Sequence, residues 1–141
     1  MVEFTEIGEI RSPFESRKEA PRGKNDVVFE IEIYEDFEEG LEGLESFSHI
    51  HVFYWLDKSG REPLSVVTPW DSEPRGVFAT RSPDRPNSIG YSVVELLEVE
   101  GRFLKVRGLD AIDGTPVLDI KPYNPESDSI PDAGKGWFKK V

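Results

Sequence analysis

Short stretches of alternating apolar and polar residues predict that this chain folds mainly into β-strands. The clearest alternation lies in residues 27–34, where Val27, Phe29, Ile31 and Ile33 share one face and glutamates lie between them. A period of two places successive side chains on opposite faces of a strand, so this pattern is typical of a strand with one buried face. Further strands are predicted at residues 4–11, 76–79, 89–99, 103–109 and 116–123, with a tight turn near Gly101.

Three other segments have patterns of their own. Residues 48–56 form a nearly continuous apolar and aromatic run, which predicts a strand buried on both faces. Residues 35–45 are acidic and carry Phe37, Leu41 and Leu44 at helical spacing, which favours a short surface helix. Residues 58–75 are rich in proline and predict a long connecting loop.

These elements together predict the fold class. Eleven prolines and twelve glycines divide the chain into short pieces, as in β-rich proteins. About seven strands with one or two short helices predict a mainly β fold, a small closed or strongly curved β-barrel. At 141 residues the chain is sized for a single domain. We expect its core at about residues 4–132, followed by a tail, residues 133–141, in which Trp137 and Phe138 are possible anchors.

The amino-acid composition and the first residues indicate the cellular compartment of the protein. The chain contains no cysteine, which excludes disulfides and thiolate metal sites and fits a reducing environment. No apolar run approaches the roughly 20 residues that a membrane-spanning helix needs. The first residues include Glu3, Glu6 and Glu9 rather than the basic start of a signal peptide. We therefore expect a cytoplasmic protein that does not enter a membrane.

The charge of the chain is strongly negative and unevenly distributed. Its net charge is −11, and residues 29–45 hold eight acids and no base. A protein that binds nucleic acid through a broad face is expected to have a basic surface. Any RNA contact must therefore be local in this chain.

One segment departs from this acidity. Residues 75–87 carry Arg75, Arg81 and Arg85 but only one acid, Asp84. Arginine holds a carboxylate or phosphate with paired hydrogen bonds, and prolines in the segment stiffen it. Two interpretations remain equally open from spacing alone: a site for an anionic ligand, or a solvated turn whose arginines pair with the chain's own carboxylates.

Two other clusters are weaker candidates. Asp110, Asp113 and Asp119 could bind a divalent cation, but Asp113-Gly114 is typical of a turn, and we favour turn chemistry. His49 and His51 lie on one side of a predicted strand, and the chain has no third histidine. A packed or hydrogen-bonded role in the core is favoured for them over metal binding, and we predict no metal site.

The arginine segment also carries a resemblance. Residues 75–90 read Arg-Gly-Val-Phe-Ala-Thr-Arg-Ser-Pro-Asp-Arg-Pro-Asn-Ser-Ile-Gly, which resembles the signature of the TsaA-like family, whose characterised members are TrmO-type tRNA methyltransferases. Residues 109–123, with Leu-Asp, Asp-Gly-Thr-Pro and Asp-Ile-Lys-Pro-Tyr, are similar to the second block of the family. The resemblance extends from about residue 4 to residue 132.

The resemblance implies a small β-barrel that binds S-adenosylmethionine, as a homodimer with the cofactor near the subunit interface. The implied reaction is methylation of the exocyclic nitrogen of threonylcarbamoyl-adenosine beside the tRNA anticodon. Arg22 or Arg81 would meet the methionine carboxylate, and Asp110 or Asp113 the ribose or adenine. Carried over by position, the implied cofactor-binding residues are Pro21, Arg22, Gly23, Asp57, Lys58, Arg81, Tyr91, Leu109, Asp110, Ala111, Ile112 and Asp113.

Arg85 and Asn87 are our candidates for the substrate side of the pocket. The general base could be Asp113, a backbone group or a group of the substrate, and the sequence does not distinguish these alternatives. Bacterial members resemble this chain over the barrel but carry a further C-terminal domain. Two alternatives therefore stay open: a module that binds S-adenosylmethionine without modifying tRNA, and a methyltransferase that acts on a small molecule.

Overall fold

A computed structural model describes residues 1–20 and 24–140, without the side chains of residues 139 and 140. The chain divides into two compact units. The first, here called the barrel unit, comprises Met1–Asp57 and Ile89–Tyr123. The second, here called the loop unit, comprises Lys58–Ser88 and Asn124–Val141. No helix in the described part of the chain is long and apolar enough to cross a membrane.

The barrel unit is a closed antiparallel barrel of six strands. The strands are β1 Gly8–Arg11, β2 Val28–Ile33, β3 His49–Trp55, β6 Ile89–Glu100, β7 Phe103–Arg107 and β8 Pro116–Pro122; β4 and β5 belong to the loop unit. The order of the six strands around the barrel is β1, β2, β7, β6, β3, β8. The prediction of a mainly β fold with a small barrel is confirmed.

The core of the barrel consists of the side chains on the inward-facing side of the strands. On β2, Phe29, Ile31 and Ile33 are all buried, as the sequence pattern predicts. They pack with Val52 of β3 and Leu104 of β7 in one apolar cluster. Full burial of such a side chain stabilises the fold by about 1.5–3 kcal/mol.

The prediction that residues 48–56 are buried on both faces is wrong. Ile50, Val52 and Tyr54 are buried, but His51 and Phe53 are only half-buried. A closed barrel has a single interior, so only alternate side chains of a strand can face its core. The apolar run of β3 therefore supplies both the core and an aromatic outer surface.

The loop unit differs in two places from the sequence prediction. Residues 58–75 are not only loop, because β4 (Ser65–Val67) and β5 (Pro74–Gly76) form a two-stranded sheet there. The strand predicted at residues 76–79 is instead a 3-10 helix, Val77–Ala79. Its turn is closed by Thr80, whose backbone nitrogen and hydroxyl both donate to the carbonyl oxygen of Val77. A four-residue α-helix, α1 (Pro125–Asp128), follows the barrel.

The acidic segment is helical but not α-helical. It forms 3-10 helices at Glu35–Leu41 and Leu44–Ser46, in which Leu41 and Leu44 are buried, as their spacing predicts. Gly43 between them has a φ of +89°, which interrupts any continuous helix.

Strand direction gives the barrel two distinct ends. Strands β1, β3 and β7 finish at the end where β2, β6 and β8 begin, which we call the upper end. The lower end carries residues 34–48, which join β2 to β3, and the Gly101 turn between β6 and β7. Most of the acidic segment therefore lies at the lower end.

Replacement of Gly90 tests the packing of the upper end. A Cβ at Gly90 would lie 2.2 Å from the ring of Tyr54, so Gly90→Ala is expected to destabilise the protein by about 1–3 kcal/mol through overpacking. Chemical denaturation measures the change. Gly40→Ala is the control, since a Cβ there meets nothing within 4 Å, and its effect should stay within about 0.5 kcal/mol. Equal stability of the two variants would contradict the close packing of Tyr54 on Gly90.

Candidate functional site

Three of the segments predicted to bind the cofactor lie at the upper end of the barrel. Asp57 follows β3, Tyr91 lies near the start of β6, and residues 109–113 join β7 to β8. Residues 21–23 precede β2 in the chain but lie outside the described residues. Segments that are distant in sequence thus leave the barrel at one end, because neighbouring strands run in opposite directions.

Asn25 ties the segment before β2 to the corner at residues 109–113. Its side-chain amide nitrogen donates to the carbonyl oxygen of Leu109 at 2.9 Å, and its side-chain oxygen accepts from the backbone nitrogen of Val27 at 2.9 Å. The sequence analysis did not identify Asn25. An asparagine before a strand often accepts a hydrogen bond from the backbone nitrogen two residues later. This recurrent turn motif was the sequence signal that could have identified Asn25.

Tyr54 supports the same corner from inside the barrel. It is buried, and its hydroxyl lies 2.8 Å from the hydroxyl of Ser92 and 3.5 Å from the carbonyl oxygen of Asp110. Its ring packs over Gly90, the residue paired with it on β6. The side chain that fills this part of the core is therefore also in contact with the corner. Sequence reasoning did not identify this role of Tyr54.

The corner itself is anchored by its apolar residues. Leu109 and Ala111 are buried, whereas Asp110 and Ile112 are half-buried and Asp113 is exposed. The corner thus inserts alternate side chains into the barrel. Asp110, Ile112 and Asp113 keep part of their surface accessible at the upper end.

Asp113 has a structural role in the turn. Its carboxylate accepts from the backbone nitrogen of Ser12 at 2.9 Å, and its own nitrogen donates to the carbonyl oxygen of Phe14 at 2.6 Å. Gly114 follows with a φ of +84°, so the predicted turn is confirmed. The carboxylate of Asp113 therefore holds the segment that follows β1. Its role as a general base stays a prediction.

The two histidines lie on the outer face of the barrel, so the predicted core position is wrong. His51 is half-buried, and its Nδ1 is 3.0 Å from the hydroxyl of Tyr91. Its ring stacks on Tyr91 with centroids 5.7 Å apart and contacts Tyr123 at 5.4 Å. The predicted hydrogen-bonded role is therefore confirmed for His51. Within the described residues, no three His, Asp or Glu side chains are grouped so that they could hold a metal ion.

Arg75 in the loop unit is paired with acids of its own unit. Its guanidinium lies 2.5 Å from a carboxylate oxygen of Asp71 and 3.0 Å from one of Glu73, and it packs over the ring of Trp137. The hydrogen bond to Arg75 lowers the pKa of Asp71 below its ordinary value. For Arg75 the salt-bridge interpretation of the arginine segment is therefore correct.

Arg85 supports the backbone of the arginine segment. Its Nη1 donates to the carbonyl oxygens of Thr80 at 2.9 Å and Ser82 at 3.1 Å. Arg81 and Asn87 are exposed, as is Lys58. The structure thus holds the backbone on both sides of Arg81, while the roles of Arg85 and Asn87 toward a substrate stay predictions.

An apolar cavity of about 730 Å³ opens at the lower end of the barrel unit. Phe37, Leu41 and Phe47 line it together with Asp36 and Glu39. Within the described residues, none of those predicted to bind cofactor or substrate contributes to its lining. The cavity and the predicted site therefore lie at different ends of the barrel.

The barrel and its upper end define a class of protein: a small antiparallel β-barrel whose strand connections form a polar, backbone-rich site at one end. A family model places the chain more narrowly. Residues 9–129 match the family described as the tRNA-methyltransferase O N-terminal domain. The chain belongs to this family, and the resemblance to TrmO-type proteins is confirmed.

Individual relatives agree with this assignment. The chain is 54% identical over 126 residues to an S-adenosyl-L-methionine-binding protein of Archaeoglobus fulgidus, covering 88% of this chain and 91% of the relative. It is 40% identical over 153 residues to the tRNA (adenine(37)-N6)-methyltransferase of Escherichia coli, covering 99% of this chain and 65% of that enzyme. The crystal structure of TrmO from Pseudomonas aeruginosa superposes with a TM-score of 0.82 at 38% identity, covering 97% and 62% of the two chains.

The chain is shorter than several of its relatives. It spans just under two thirds of the Escherichia coli enzyme and 39% of a second Archaeoglobus fulgidus relative that is 53% identical to it. The similarity therefore covers the barrel-containing portion of those longer proteins.

Asn25→Ala tests whether Asn25 holds the corner. The variant leaves the carbonyl of Leu109 and the amide of Val27 without these partners, and a loss of about 1–3 kcal/mol in the free energy of unfolding is expected. Amide hydrogen exchange should accelerate at Val27 and in residues 109–113. Asn87→Ala, which alters an exposed asparagine of the loop unit, is the control. Unchanged exchange at the corner would contradict the role of Asn25.

Proposed function

We propose that this chain is an S-adenosylmethionine-dependent methyltransferase that acts on N6 of threonylcarbamoyl-adenosine beside the tRNA anticodon. The observation that carries the proposal is the convergence at one barrel end of Asp57, Tyr91 and residues 109–113. Membership of a family described as a tRNA-methyltransferase domain supports the substrate class. The relative named as an S-adenosyl-L-methionine-binding protein supports the cofactor.

The residues of the candidate site fit the polar groups of this cofactor. Arg81 is exposed and provides the guanidinium that a methionine carboxylate requires, with Arg22 as the other candidate. Asp110 or Asp113 would accept hydrogen bonds from the ribose hydroxyls or the adenine amine. The corner at residues 109–113 is held by Asn25 and contacted by Tyr54, so little order has to be gained on binding.

The other implied residues complete the proposed cofactor site. Pro21 and Gly23 flank Arg22 in the segment before β2, and Asp57 and Lys58 follow β3. Their contribution is proposed from position in the chain.

The proposed reaction depends mainly on the relative orientation of the cofactor and the substrate. When bound, S-adenosylmethionine supplies a methyl group on a positively charged sulfonium. Transfer would form a bond between the target nitrogen and the methyl carbon, break the sulfur–carbon bond to release S-adenosylhomocysteine, and remove the proton of the target nitrogen. Acylation makes that proton easier to lose than the amine proton of plain adenine. The chain's task is to align the two reactants and exclude competing arrangements, which can supply much of the rate. Asp113 is our candidate acceptor for the proton.

Charge distribution in the barrel unit is compatible with an RNA substrate. Most of the acids of the 29–45 stretch lie at the lower end, with the 3-10 helices between β2 and β3. The proposed site is at the upper end, so the substrate need not approach the main concentration of negative charge. Arg85 and Asn87 are the proposed substrate-binding residues. We also propose a cytoplasmic location, which the absence of cysteine supports.

We further propose that the chain forms a homodimer. The outer face of β6 exposes Ile89, Tyr91, Val93 and Leu97, each between 36% and 41% accessible. These residues alternate along one strand and form an apolar strip, a feature of protein interfaces. A second copy of the chain is the occupant we propose for this strip. Light scattering in solution tests it, and a mass of one 16.0 kDa chain would refute it.

Methyl transfer from labelled S-adenosylmethionine tests the reaction directly. We expect label to enter tRNA that carries threonylcarbamoyl-adenosine, and not the same tRNA without that modification, because acylation activates the nitrogen. Absence of transfer, with cofactor binding intact, would favour a cofactor-binding module. Turnover of the cofactor without RNA would instead indicate a small-molecule substrate.

Arg81→Ala is expected to weaken binding of S-adenosylmethionine by about tenfold or more, because a hydrogen bond to a charged group contributes about 1.5–3 kcal/mol. Isothermal titration calorimetry measures the change. Lys105→Ala is the control, since Lys105 lies on β7 and pairs with Glu98 on the barrel surface. Unchanged affinity in Arg81→Ala would remove Arg81 from the cofactor site.

A further inference from the structure

The two units of the chain carry very different charge. The barrel unit contains 9 Lys and Arg against 21 Asp and Glu, whereas the loop unit contains 8 against 7. The barrel unit thus carries all of the net negative charge, and the loop unit has a small positive excess. An RNA backbone is repelled by excess negative charge and attracted by arginine and lysine. The loop unit is therefore the part of the chain to which RNA can bind at least electrostatic cost.

A large aromatic side chain of the loop unit is exposed in the same sequence segment as its arginines. Phe78 is 82% accessible and lies three residues from both Arg75 and Arg81 in sequence. An exposed aromatic residue set among arginines is typical of surfaces that bind single-stranded nucleic acid. Phe78 itself does not contribute to the apolar core of the described structure.

The turn that carries Phe78 is held on both sides. Val77 is buried, and its nitrogen donates to the carbonyl oxygen of Leu64 at 3.0 Å. Thr80 is also buried and closes the turn onto the Val77 carbonyl. The indole nitrogen of Trp137 donates to the carbonyl oxygen of Ala79 at 2.7 Å. The backbone is thus fixed next to a ring that remains exposed, so little conformational entropy is left to lose when a partner covers the ring.

We propose that Phe78 stacks on an unpaired base of the RNA substrate. The inference rests on the proposed tRNA methyltransferase function and specifies a contact on its substrate side. An unpaired base has an open aromatic face, whereas a base inside a helix is already stacked on its neighbours. The contact would help to hold the anticodon loop while the neighbouring adenosine is methylated.

Binding of an anticodon stem-loop RNA to the full chain, saturated with S-adenosylhomocysteine, tests the contact apart from the chemistry. Stacking on an aromatic residue contributes about 1–3 kcal/mol per base, so Phe78→Ala should weaken binding by about fivefold to a hundredfold. Phe78→Trp should retain wild-type affinity, and Phe78→Leu, which is apolar but lacks a ring, should resemble Phe78→Ala. Ile130→Ala is the matched control, because Ile130 is 73% accessible in the same unit, and it should bind as the wild type does.

Fluorescence of 2-aminopurine, placed at each unpaired loop position in turn, reports stacking directly. Quenching at one position in the wild type and in Phe78→Trp, lost in Phe78→Leu, is the expected result. Cofactor affinity should be the same in all variants. Wild-type RNA affinity in Phe78→Ala would overturn the contact while leaving the proposed function intact, provided the wild type transfers methyl groups. A shift in oligomeric state with unchanged RNA affinity would instead assign Phe78 to a protein contact and overturn the proposal.

Discussion

Closure of a six-stranded antiparallel sheet is the constraint on which the candidate site depends. Because neighbouring strands alternate in direction, the segments after β1, β3 and β7 leave at the same end at which β2, β6 and β8 begin. The predicted cofactor segments occupy these connections. The barrel therefore works as a frame that gathers short segments from distant parts of the chain.

The same closure separates incompatible charges. Most of the acidic run lies with residues 34–48 at the lower end, where it forms 3-10 helices and rims an apolar cavity. The proposed chemistry belongs to the upper end. A net charge of −11, counted over the whole chain, thus says little about the field that a substrate meets locally, since charges more than a Debye length apart are largely screened.

The sequence predicted the elements whose pattern depends only on local chemistry. Alternation in residues 27–34 predicted β2 and its buried face, and Asp113-Gly114 predicted a turn. Prediction from the sequence failed where tertiary contacts determine which side chains are buried. The run at residues 48–56 could not reveal that only one face of a barrel strand meets a core. Pairing of Arg75 with Asp71, four residues earlier in the chain, was one of the two interpretations that the arginine segment left open.

The site residues divide in the same way. Of the positions carried over from the family resemblance, the barrel unit contains Asp57, Tyr91 and residues 109–113, and the loop unit contains Lys58 and Arg81. Residues 21–23 lie outside the described structure. Asn25 and Tyr54 were missed because their importance comes from the partners they meet, Leu109 and Asp110. Those partners lie more than fifty positions away in the sequence, where no local pattern can point to them.

Tyr54 joins two properties that are usually treated as separate. Its ring fills the barrel against Gly90, and its hydroxyl reaches the corner at Asp110. Any change in the interior that shifts this ring will also shift the corner. A substitution chosen only to improve packing around Tyr54 could therefore displace the corner that we propose as part of the cofactor site, without touching the cofactor itself.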